Sequence, residues 1–170
     1  MRILMLLAAG AQNRPSRPLG LDQVVEPYYV LHDAGAEVVI VSVLGGDPPF
    51  RGARKGSARA FAALRRFYDD RRARDAISDT LKFAQVYPED FDAGICIGAL
   101  EETADCADAA VARDLVTALL AAGKPVAIVP SDLLLAPLEP LEGLLIVGDQ
   151  ARSPPRAAKA LLAALDPGGG

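Results

Sequence analysis

The sequence predicts an α/β domain in which a mostly parallel sheet is covered by helices on both faces. Two observations carry that expectation. Short apolar runs alternate along the chain with stretches of helical period, the pattern of strand–helix–strand units. The runs also lack the polar–apolar alternation of a half-exposed strand, so both of their faces are expected to be covered. A length of 170 residues suits one domain, residues 1–166, with the Pro-Gly-Gly-Gly end at 167–170 a frayed tail.

The elements follow in order. Residues 2–8 are apolar after the arginine and form the first strand; a weak signal-peptide look there gives way to this reading. Residues 9–20 hold proline, glycine and asparagine and are a loop at that strand's carboxyl end, where Arg14 and Arg17 are read as solvated. Residues 21–34 have Val24, Tyr28 and Leu31 at helical spacing, and Gly35 closes the helix. Pro27 within that pattern implies a kink or a late start. Residues 37–43 are a second strand rich in Val and Ile.

Turn residues fill 44–56, and a helical region runs from about Ser57 to Thr80. Its Arg65, Arg66, Asp69, Asp70, Arg71 and Arg72 are mixed in sign, as on a solvated face. A turn at 88–92 leads into a third buried strand, 93–97, ended by Gly98. A helix follows at 107–122, where Gly123 supplies the left-handed terminus and Pro125 prevents continuation. The run 126–129 is a buried strand, β-branched at three of four positions. Residues 144–147 are a last strand, and 154–165 a terminal amphipathic helix with Ser153 as N-cap.

Composition narrows the functional classes. Hydrophobic residues make up 51% and charged residues 24%, with aromatics at 5%, so small aliphatics fill the core. A net charge of −4 argues against a nucleic-acid binder, which would present a basic face. No apolar run reaches the ~18 residues that a membrane span requires. Cytoplasm is the expected compartment. Cys96 and Cys106 lack metal-ligand spacing, a disulfide between them is not expected, and the single histidine, His32, is expected on a helix surface or interface. No Gly-rich phosphate loop follows the first strand, and no cofactor is expected.

In an open parallel sheet, ligands bind beyond the carboxyl ends of the strands. The segment that follows 126–129 is therefore where function is expected, and it reads Pro130, Ser131, Asp132. Six pieces of the chain, in order, resemble the ThiJ/PfpI family of the class I glutamine-amidotransferase-like group, which includes deglycases and glyoxalase-chaperones. They are EPYYVLHDAGAEVVIVS at 26–42, GGDPP at 45–49, TLKFAQV at 80–86, DFDA at 90–93, GKPVA at 123–127 and LIVGDQ at 145–150. The resemblance implies a flavodoxin-like three-layer sandwich and a homodimer.

It also implies a degenerate site. Enzymes of that family carry a cysteine directly after the strand matching 126–129, and here that position is Pro130, which has no nucleophilic lone pair. Ser131 and Asp132 stand where His and Gly are common. The family's acid falls at Gln23, a neutral amide, with Asp22 adjacent but about 100° away around the helix. The family's Pro-Gly-Gly-His-Gly run becomes Ile97, Gly98, Ala99, Leu100, Glu101, keeping one glycine of an oxyanion site. The segment before the last strand is also shorter than in many relatives.

Two readings remain open. In the first, the chain is a non-catalytic ligand-binding or partner subunit, with a pocket at Asp22, Gln23, Gly98, Ala99, Glu101, Pro130, Ser131 and Asp132, and an unidentified small molecule or protein as its partner. In the second, Asp22, Glu101, Glu102 and Asp132 rebuild the crevice for general acid–base work, as a hydrolase or lyase. Capping and solvated-charge roles compete with catalysis at each of those carboxylates. Ser131 lacks the Gly-x-Ser-x-Gly setting of a hydrolase nucleophile.

Overall fold

The computed structural model describes residues 1–8, 19–50, 58–98, 107–129, 143–147 and 154–166. Six strands form one sheet: β1 Arg2–Leu7, β2 Glu37–Ser42, β3 Leu81–Lys82, β4 Ala93–Ile97, β5 Val126–Val129 and β6 Leu145–Val147. Five α-helices connect or flank them: α1 Leu21–Asp33, α2 Ala58–Asp69, α3 Arg71–Ser78, α4 Ala107–Ala121 and α5 Pro154–Leu165. The order across the sheet is β3-β2-β1-β4-β5-β6 and every pairing is parallel. Without the two-residue β3, the other five run in flavodoxin-like order.

Side-chain alternation along the central strands builds two cores. Ile3, Met5 and Leu7 of β1, with Ala93, Ile95 and Ile97 of β4, pack under α1, α2, α3 and α5. Leu4 and Leu6, with Cys96 of β4 and Val126 and Ile128 of β5, face α4. Both faces are therefore covered, which is why β1 after Arg2, β4 and β5 carry no polar side chain. At Gly94 an added Cβ would lie 2.7 Å from Leu119 Cδ1, so the missing side chain lets α4 approach the sheet.

Several expectations meet the structure directly. Gly35 and Gly123 have φ of +81° and +72° at the ends of α1 and α4, the left-handed termini expected there. α1 starts at Leu21 and continues through Pro27, so the late start is excluded and the helix forgoes one hydrogen bond. The single helical region expected over 57–80 is two helices broken at Asp70. That residue leaves the helical conformation (φ −96°, ψ 100°), and its Oδ1 accepts from Ala73 N at 3.2 Å, capping α3.

The sheet edge at β3 rests on a polar clasp. Ser42 and Thr80 are buried, with their hydroxyls 2.7 Å apart, and Thr80 Oγ1 donates to Gly46 O at 2.7 Å. Gly45 N donates to Ser42 Oγ at 3.1 Å, so the turn after β2 is tied to the edge strand.

Candidate functional site

The strand order places the crevice. β1 leads through α1 to β2 on one side, whereas β4 lies on the other, so the topological switch point is the β1–β4 boundary. Register brings Ser42, Leu7, Ile97 and Val129 side by side at the carboxyl rim. Ala8 N donates to Ile97 O at 2.9 Å, and Gly98 N donates to Val129 O at 2.8 Å, extending the ladder one residue past the strands.

Gly98 is the fixed point of that rim. Its φ is +107°, and a Cβ there would meet Ala8 O at 2.4 Å. Only glycine satisfies both conditions, the backbone angle and the close approach of β1.

α1 begins on the same side of the sheet as β1 ends. Gly20 is its N-cap residue, and Gln23 completes a capping pair: Gln23 N donates to Gly20 O, and Gly20 N donates to Gln23 Oε1, each at 3.0 Å. The Gln23 amide oxygen is thus spent on its own helix. Asp22 lies in the first turn, where a negative charge meets the positive helix end. Its Oδ1 is buried and has no hydrogen-bond partner among the described residues.

Glu26, one turn further on, was not among the residues singled out from the sequence. Burial raises its carboxyl above the usual range and Asp22 adds to that push, while Arg59 from α2 and Lys159 from α5 oppose it. The i, i+4 spacing of Asp22 and Glu26 was the available signal. The two acids share one face of α1.

The described residues carry no nucleophile–base pair. Cys96 lies inside β4 at 0% exposure as a free thiol, and burial pushes its pKa up to about 12. His32 stacks on Tyr28, with ring centroids 5.7 Å apart, and its half-exposed ring lies 3.5 Å from Asp33 Oδ1. It belongs to the last turn of α1, about 13 Å along the helix from Gln23 at 1.5 Å per residue. The expectation of a helix-surface histidine matches that position.

Of the pocket residues proposed from the sequence, Asp22, Gln23 and Gly98 are therefore placed on the carboxyl side of β1. No hydrogen bond joins Gln23 to Gly98. Ala99, Glu101, Pro130, Ser131 and Asp132 lie outside the described residues, as do Glu102, Cys106, Arg14 and Arg17.

No family model and no curated protein sequence matches the chain, so its likeness to known proteins is carried by structure. A ThiJ/PfpI domain protein from Brachyspira murdochii aligns over 98% of this chain and 96% of its own length, with TM-score 0.63 and 14% identity. The chain has the ThiJ/PfpI fold. Glyoxalase III from Candida albicans aligns over 96% of both chains with TM-score 0.64 and 13% identity. Rapid Encystment Protein 24 KDa from Francisella tularensis matches 75% of this chain with TM-score 0.55 and 18% identity; the chain spans 57% of that protein's length. The three-layer α/β arrangement belongs to that fold.

Proposed function

We infer that this chain is a ThiJ/PfpI-type protein that binds a small molecule or a partner at the β1–β4 crevice without the family's cysteine chemistry. The observation that carries the reading is the Gln23 side chain, a neutral amide engaged by Gly20 N where the resemblance expects an acid. The sequence adds Pro130 at the expected nucleophile position. The buried, protonated Cys96 supplies no substitute, because only a thiolate attacks.

A homodimer accompanies this reading through the resemblance, with the cytoplasm as its compartment, and sedimentation of the purified chain checks the dimer. Installing sulfur alone tests the missing chemistry. The Pro130→Cys variant is expected to stay at the blank rate with methylglyoxal, since Gln23 still caps α1 and the glycine-rich oxyanion run is still replaced. Measurable turnover by that single variant would show the remaining machinery to be intact.

One observation favours the rebuilt acidic site as a second reading: the unpartnered Asp22 Oδ1 beside Glu26, whose carboxyl burial holds in a raised range. On that reading, Asp22→Asn abolishes a hydrolase or lyase activity. On the binding reading it changes only the affinity for a molecule that copurifies with the protein, detected by native mass spectrometry.

A further inference from the structure

We draw no further inference here: the strongest candidate, the Asp22–Glu26 carboxylate pair along the first turns of α1, belongs to the crevice already described and rests on an acidic helix start alone.

Discussion

A thiol in the middle of a central strand answers to its surroundings. Cys96 sits among Leu4, Leu6, Val126 and Ile128 in the core beneath α4. Desolvation keeps it protonated, and iodoacetamide at about pH 8 is expected to leave its peptide unlabelled in the native protein and to label it fully in guanidinium. Peptide mapping by mass spectrometry distinguishes these outcomes, and rapid native labelling would contradict the burial. At Gly98 the constraint is steric. Gly98→Ala forces a Cβ onto Ala8 O from a positive φ. It should cost about 1–3 kcal/mol, a fall of several degrees in a calorimetric melt of a domain this size.

β1, β4 and β5 are legible in the sequence because burial on both faces writes itself as short, nearly uninterrupted apolar runs, and α1, α4 and α5 because their apolar residues recur at helical period. The break at Asp70 is not. Aspartate suits a solvated helix face and an N-cap equally well, and only its geometry on Ala73 N separates the two. β3 is hidden for a similar reason: Leu81 and Lys82 are exposed, and the strand is held by the Ser42–Thr80 contact between residues 38 positions apart. Asp70 also accepts from Tyr29 OH at 3.2 Å, linking α3 to α1. The Ala73 amide, then the Tyr29 hydroxyl, hold its carboxyl below the usual range. A lowered folded pKa gives stability that is present above the unfolded pKa near 4 and lost as pH falls through the folded one. Asp70→Ala should therefore lower stability at neutral pH by about 1 kcal/mol, with the gap to wild type closing below about pH 4 in urea melts.

At the scale of the molecule, the sheet order and the turn at Gly98 set the rim of the crevice. The parallel order, the switch point at β1–β4 and the glycine that β1 requires at position 98 fix where the crevice lies. The α1 end of the crevice presents an amide turned onto its own helix and an aspartate oxygen without a partner among the described residues. From the sequence, Gln23 could be seen as a neutral residue at an acid's position, but not as a cap, because that role depends on the approach of Gly20. Glu26 was equally silent: its raised carboxyl comes from packing, with Arg59 and Lys159 reaching it from α2 and α5.

Cysteine-dependent turnover, absent on the proposed reading, is measured most directly as consumption of methylglyoxal by the purified wild-type chain beside a protein-free blank. The two rates are expected to coincide. Saturable consumption above the blank, abolished by alkylating the protein's thiols, would contradict it.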